Sequence, residues 1–571
     1  MPLAPNPFPT PKLIMEPPRS VYSKNWAYLK RERDQWLRTW EDLADYVLPY
    51  LGMRYEYETS YADRRPKRSK RIPVIINNKA SMAARVLING LAAGLTSPSR
   101  PWLRLGVPQD TSEPDYEAKR WLFGASRAIL WLCSTSNYYT ATKLQYRDLI
   151  VFGPGVKIID EHAEHDVNCI NAPVGSYCLG LGEDGRPNTL YREVLYRAEH
   201  LIARFGYERC SKEVRRAYDQ GNYYKEFKVC HVIEPNRLFQ KGQFGPKGMR
   251  YASVYYEQSC GEDETALLGY KGYNEKCFSG PRWDFLPGDT YGPSAAMETL
   301  GDIKALQVLE HRKAQAVDKQ VTPPTQGPPS LSKARIGHMP GSHTTVSEVS
   351  QKITSLYDVR PDMLAISQEI QRHEARIDEA FYVDIMRSAT DLTRQNVKAE
   401  EILERREEKM MMFSPLLENL YTELLDVDVQ RLLAIGMRIG LIPPPPPSLR
   451  ERDLKIEYIS TLAQAQKASS IGSIERVFTF AGSLAGAYPE VKDKIDADAA
   501  IDEYADAVGA PASILVPDQA VQQLRQMRQQ QAQQEQAVQQ TAVGVEAAKN
   551  LSEAQLTDPS MLQYLIGGAG S

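Results

Sequence analysis

No G-x-x-x-x-G-K-[ST] loop occurs in the 571 residues, so the backbone cradle that P-loop enzymes use to hydrolyse nucleotides is missing. The chain also lacks a G-x-S-x-G elbow and an H-E-x-x-H helix, the two commonest signs of a serine hydrolase and a zinc protease. No stretch approaches the roughly 18 to 20 apolar residues that span a bilayer, so no membrane partner is expected. The N-terminal Met1-Pro2-Leu3-Ala4-Pro5-Asn6-Pro7 has none of the charged, apolar and cleavage regions of a signal peptide. Cysteine is sparse: there are seven, none in a C-x-x-C pair, and the count is odd. Reduced thiols in a cytosolic product are the expectation. A basic excess is missing as well, with 69 Lys and Arg against 72 Asp and Glu for a formal charge of −3. Proteins that clamp nucleic acid draw most of their affinity from neutralised phosphates. If this chain handles DNA, it is not built to grip it.

What is present is ordinary for a globular protein, with 42% hydrophobic and 25% charged residues, and a length that fits about three or four domains. Residues 1 to about 20 form a proline-rich extended arm. From Tyr22 to about Tyr50, Trp26, Leu29, Arg33, Trp36, Trp40, Leu43 and Val47 lie close to one helical stripe. A second helix is expected from Asn77 to Leu95. Two more are expected between Asp115 and Leu149, broken near Ser134-Thr135-Ser136-Asn137. Beyond Gly153-Pro154-Gly155 the pattern changes to strands at 156–159, 190–195, 227–233 and 252–256, with a helix from Arg197 to Phe205 between them. Residues 22–293 therefore read as one α+β domain within a chain that is mainly helical.

Ser294 to Asp384 is the most informative stretch. A proline-free helical arm runs from Ser294 to Gln320, with Gly301 its one weak breaker. It stops at an interruption containing Pro323, Pro324, Pro328 and Pro329, where no helix can continue. Asp362 is the expected N-cap of a second arm, whose Met363, Ile366, Ile370, Ile377 and Phe381 fall mostly at three- and four-residue steps. So narrow an apolar seam suits a helix packed beside copies of itself or beside its partner arm. A third long helix is expected from Asn396 to Ile439, kinked or restarted at Ser414-Pro415. Pro443 to Pro447 is a rigid break. Residues 454–516 read as helical and alanine-rich, and 518–550 as a Gln/Ala helix ahead of a glycine-rich tail.

Three charged groups call for weighing. Asp160-Glu161-His162-Ala163-Glu164-His165-Asp166 has the ligand types of a divalent-metal nuclease site, but it reads more simply as a solvated loop between strands. No second motif elsewhere supplies a matching shell, so no catalytic residue, cofactor or metal is assigned. The run Arg64-Arg65-Pro66-Lys67-Arg68-Ser69-Lys70-Arg71 suits phosphates, an acidic partner, or a solvated loop equally well. Arg387, Arg394 and Lys398 lie in the stretch joining the second arm to the third helix. If the arms line a bore, these cations face it; otherwise they belong to an ordinary connection.

Laid out in this order, the chain resembles the portal (head-to-tail connector) proteins of short-tailed tailed bacteriophages. Trp40-Glu41-Asp42-Leu43-Ala44-Asp45-Tyr46-Val47-Leu48-Pro49 resembles that family's W-x-x-L-A-x-Y-x-x-P pattern. Gly90-Leu91-Ala92-Ala93-Gly94-Leu95-Thr96-Ser97-Pro98-Ser99-Arg100-Pro101-Trp102 resembles its most distinctive segment. Phe152-Gly153, Tyr291-Gly292-Pro293-Ser294, Pro323-Pro324 and the glutamate-rich 399–408 follow in the family's order. The resemblance implies a dodecameric ring at one capsid vertex. It implies further that double-stranded DNA is driven through that ring by a separate terminase and later leaves through the tail. It also implies a division of the chain: 1–21 as an arm, 22–293 as the wing, 294–320 and 362–386 as stem helices and 321–361 as the clip. Residues 387–450 become tunnel loop and wing helix, 451–517 the crown, and 518–571 a Gln-rich helix and tail. Terminase, a tail adaptor, and the major capsid and scaffolding proteins are the partners it implies. Two other readings stay open, an adaptor or inner-capsid component and a metal-dependent nuclease centred on 160–166.

Overall fold

A computed structural model describes residues 18–51, 75–108, 115–258, 267–321, 325–327, 354–355, 362–390, 413–450, 454–459, 477–484, 501 and 521–531. The prolines expected in the clip, Pro323, Pro324, Pro328 and Pro329, the basic run 64–71, and Arg394 and Lys398 lie outside these residues. The chain divides into two units, Met1–Gln466 and Lys467–Ser571.

In the first unit, helices α1 (Arg19–Asp34) and α2 (Leu37–Tyr46) come from the expected Tyr22–Tyr50 stripe, interrupted at Gln35-Trp36. Helix α3 (Lys79–Gly94) follows. Helices α4 (Tyr116–Thr135) and α5 (Tyr138–Phe152) break at Ser136-Asn137, within the expected polar stretch. The Asp115 carboxylate caps α4 by accepting the Ala118 N–H at 3.2 Å.

Among the described residues all the strand pairings are antiparallel. Strands β4 (Tyr177–Leu181), β5 (Pro187–Arg197), β6 (Glu226–Pro235), β7 (Tyr251–Glu257) and β8 (Gly269–Tyr273) form a five-stranded meander in sequence order. Its two faces are both buried, and the alternation along β6 shows how. Cys230 and Val232 pack with Tyr22 and Trp26 of α1, whereas Phe227 and Val229 pack with Leu201 and Val214. The last two residues belong to the short helices α6 (Ala198–Phe205) and α7 (Lys212–Asp219). A second sheet has the order β3 (Asp166–Ala172), β2 (Val156–His162), β9 (Phe278–Ser279). Strand β1 (Leu103–Gly106) pairs with β12 (Lys455–Tyr458).

That last pairing corrects the expectation of helix from residue 454 onward. Lys455-Ile456-Glu457-Tyr458 alternates with period two, and Arg104 binds Glu457 across the ladder at 2.9 Å. In the second unit, 477–484 and 521–531 are helical, as expected for the Ala- and Gln-rich stretches.

Both arms carry a break that the sequence reading did not contain. The first arm is α8 (Ala295–Glu298) followed by α9 (Leu300–Val321), separated at Thr299, whose hydroxyl donates back to the Ala295 carbonyl at 3.1 Å. The second arm is α10 (Met363–Ala380) followed by α11 (Val383–Thr390), separated at Phe381-Tyr382, where Tyr382 has φ +50°. Asp362 caps α10 as expected, accepting the N–H groups of Leu364 and Ala365 at 3.0 Å each. The third long helix is described from residue 413: helical 413–420 (α12), a π-turn at Tyr421–Leu425, then α13 (Asp426–Arg438).

Candidate stem base and wing junction

The two arms form an antiparallel hairpin, and the pairings along it fix the direction. Asp302, early in α9, accepts from His373 at 2.8 Å and from Arg376 at 3.2 Å, both late in α10. At the far end β10 (Thr325–Gln326) pairs with β11 (Thr354–Ser355). Burial pushes the Asp302 carboxyl up, but the hydrogen bonds and charges of His373 and Arg376 outweigh it and hold it below its ordinary value.

Ile303 and Leu306 of α9 and Ile370 and Ile377 of α10 are buried together in the subunit's main core, with Ile366 packed against it. Met363, a turn earlier, is half-buried. The apolar seam is therefore occupied at its base by the partner arm and by α3, not left over for a neighbouring chain.

A clamp ahead of α3 holds the two arms together. The side-chain amide of Asn77 donates to Glu310 at 3.2 Å and to Glu374 at 3.1 Å, one carboxylate from each arm. Gln307 accepts the N–H groups of Ile76 and Asn77 at 2.8 and 3.0 Å and donates to the Asn77 carbonyl at 2.7 Å. Lys79 bridges to Asp378 at 2.5 Å. Nothing in the sequence pattern marks Asn77 apart from its place before a helix.

The segments that carry the resemblance meet at the root of the hairpin. The Trp40 indole N–H donates to the Phe152 carbonyl at 2.9 Å and its ring meets Tyr291 edge-on at 5.6 Å. The Ser294 hydroxyl donates to the Val151 carbonyl at 2.8 Å while accepting the Met297 N–H, so one side chain starts the arm and ties it to α5. Gly153, at φ +95°, has no room for a side chain, because a Cβ there would stand 2.4 Å from the Gly292 carbonyl oxygen. Gly90 of α3 faces Met386 of α11, where a Cβ would fall 2.4 Å from the sulfur.

Beyond the break, Tyr382 packs edge-on to Phe413 at 5.1 Å and lies 6.4 Å from Trp283. Helix α11 then runs on to Thr390, which places Arg387 on an exposed helical turn. The expectation that it lies in the inter-helix connection is corrected accordingly. The buried side of the same turn is Val383, Ile385 and Met386, a pattern short enough to read equally as loop.

Helix α13 is bound to the sheets by buried ions. Lys157 and Asp428 are both fully buried, 2.5 Å apart, with Tyr138 donating to Asp428 at 3.0 Å and Lys157 donating to Thr142 at 2.8 Å. The π-turn brings Glu423 to Arg282 at 2.7 Å. The charged 160–166 stretch is the end of β2, the 163–165 turn and the first residue of β3. Its Glu161 accepts from Arg438 at 2.7 Å and from Arg431 at 3.3 Å, and its two imidazoles stack at 5.3 Å. Burial raises the neighbouring Glu275 carboxyl, but Arg438 and Arg431 more than offset this and leave it below the usual carboxylate range. Among the described residues, no three His, Cys, Asp or Glu side chains are grouped to hold an ion. The acids here anchor α13.

The model of the family described as bacteriophage head to tail connecting protein matches residues 19–515. A portal protein of Salmonella phage epsilon15 is 34% identical over 552 residues, covering 96% of this chain and 98% of the relative. A probable portal protein of Bordetella phage BPP-1 is 33% identical over 515 residues, covering 89% and 91%. A chain from the neck of an empty GTA particle aligns over 69% of this chain and 86% of its own, at 10% identity and a TM-score of 0.36, a likeness too loose to argue from. The junction of Trp40, Gly90, Phe152-Gly153 and Tyr291–Ser294 lies inside the matched span, and with that match over most of its length the chain belongs to the bacteriophage head-to-tail connecting protein family.

Proposed function

We propose that this chain is a portal protein that closes into a ring at one capsid vertex, a conduit for double-stranded DNA during packaging and ejection. The observation that carries the ring is the hairpin itself. Its base is sunk in the subunit core, but past Glu310 no described residue of α9 is buried, and Val308, Val317, Val321 and Leu364 are exposed. A helix about 33 Å long at 1.5 Å per residue gains little from standing in water with valines on its surface. It gains from lying beside neighbouring hairpins in a closed ring. Twelve subunits is the number the resemblance implies.

The near-neutral charge suits passage, since a strongly cationic wall would add phosphate contacts and hold the DNA back. In this reading the role is structural: terminase supplies the work and docks, followed by the tail adaptor, on the clip at 321–361. The capsid and scaffolding proteins surround the wing in the virion. Class-averaged electron micrographs of the purified protein test the ring. Val317→Asp with Leu364→Asp is expected to abolish closed rings while leaving the far-UV circular dichroism and the melting of the subunit intact. Closed rings in that double variant would remove the hairpin from the interface.

A further inference from the structure

Helix α4 buries Leu122, Ile129, Leu132 and Cys133. Tyr116, Arg120, Phe123, Arg127 and Trp131 lie on its other side at steps of four, three, four and four residues. They form one stripe about 22 Å long. The three aromatic residues are 75%, 57% and 48% exposed. The Arg127 guanidinium sits over the Phe123 ring at 5.9 Å, and neither Arg120 nor Arg127 has a carboxylate partner among the described residues. Aromatic and arginine side chains in alternation, unneutralised, have the composition of the centre of a protein interface.

The same subunit carries a surface of opposite chemistry. Residues 284–289, Asp-Phe-Leu-Pro-Gly-Asp, join β9 to α8 and are all exposed. The turn is held from within. The Asp284 carboxylate accepts the Phe285 N–H at 2.7 Å, the Asp289 N–H donates to the Leu286 carbonyl at 3.1 Å, and Gly288 takes φ +90°. It therefore presents Phe285 and Leu286 between two carboxylates that pair with no cation among the described residues.

We propose that the α4 stripe of one subunit docks on the 284–289 turn of the next copy in the ring, an inference that rests on the ring reading above. Phe285 and Leu286 pack among Tyr116, Phe123 and Trp131, while Asp284 and Asp289 meet Arg120 and Arg127. The two patches differ, so the contact is heterologous, the kind that repeats head to tail and closes by rotation. Duplex DNA would satisfy the arginines but gives three aromatic rings nothing to stack on.

Charge exchange in the full-length chain tests the pairing. Arg120→Glu with Arg127→Glu is expected to raise the concentration needed for ring formation, read by sedimentation velocity, at least tenfold. Asp284→Lys with Asp289→Lys is expected to do the same, and the four changes together to restore assembly. Phe123→Cys with Leu286→Cys should give a ladder of covalent multimers on oxidation. Rings indifferent to the reversals, or lost without rescue by the fourfold variant, overturn the contact. Intact rings with weakened genome retention overturn it too, and assign the stripe to DNA. A wild-type chain that stays monomeric instead overturns the ring reading itself.

Discussion

Among single residues, the informative ones in this fold are charges taken out of water. Lys157 and Asp428 lie side by side with no exposure; Tyr138 donates to the same Asp428 oxygen as Lys157, and Thr142 accepts from Lys157. Removing either partner would strand the other charge, which is far more costly than the pair is favourable. Asp148 is the less satisfied case. It is buried on α5 and, among the described residues, its neighbour Arg147 is its one side-chain partner, at 2.7 Å. Burial raises its carboxyl from the ordinary value to about 6, against the opposing pull of Arg147. The fold therefore holds this proton more tightly than the unfolded chain does. The stability it contributes is complete below about pH 4 and is lost as pH rises through about 6. Asp148→Asn, which cannot ionise, should leave the melting temperature at pH 4 unchanged and raise it at pH 7. The gain at neutral pH would be on the order of 2 to 3 kcal/mol from the size of the shift. Equal effects at the two pH values would show that the carboxyl is not what titrates.

At the scale of elements, legibility in the sequence depended on length. The α4–α5 break and the Asp362 cap were readable because polar residues and a capping side chain interrupt long periodic runs. The breaks at Thr299 and Tyr382 were not, since neither residue is a helix breaker by composition. Tyr382 takes a positive φ where its ring packs on Phe413. The four-residue β12 vanished into an alanine-rich surround, and the π-turn at Tyr421–Leu425 has no local signature. The hairpin itself was legible, but its root was not. Asn77 meets Glu310 and Glu374 across more than 200 positions of chain. Gly90 could be recognised as part of a motif, yet its purpose is visible only in its approach to Met386. That approach predicts a coupled pair. Gly90→Ala adds helix propensity of about 1 kcal/mol but forces Met386 aside, and overpacking of this kind costs about 1 to 3 kcal/mol. The single variant is expected to melt lower than the wild type. Met386→Ala in the Gly90→Ala background should cost clearly less than Met386→Ala alone. Additive melting shifts would place the strain elsewhere.

For the whole molecule, the question is what a ring does to the DNA inside it. We propose that in the ring the residues following α10 face the bore, among them Arg387 on α11 and then Arg394 and Lys398. Each cation in a wet channel is screened over a Debye length of about 8 Å at physiological salt. A passing phosphate then gains ~1 kcal/mol or less from each. Contacts that weak and that repeated around a ring would act as friction on a long polymer without giving measurable affinity for short DNA. Changing all three to Gln is therefore expected to leave ring assembly and solution DNA binding as they are. It should alter how completely filled heads keep their genome, read as the length and fraction of DNA retained after packaging stops. Retention identical to wild type, in rings of normal size, would mean that these three residues do not face the DNA.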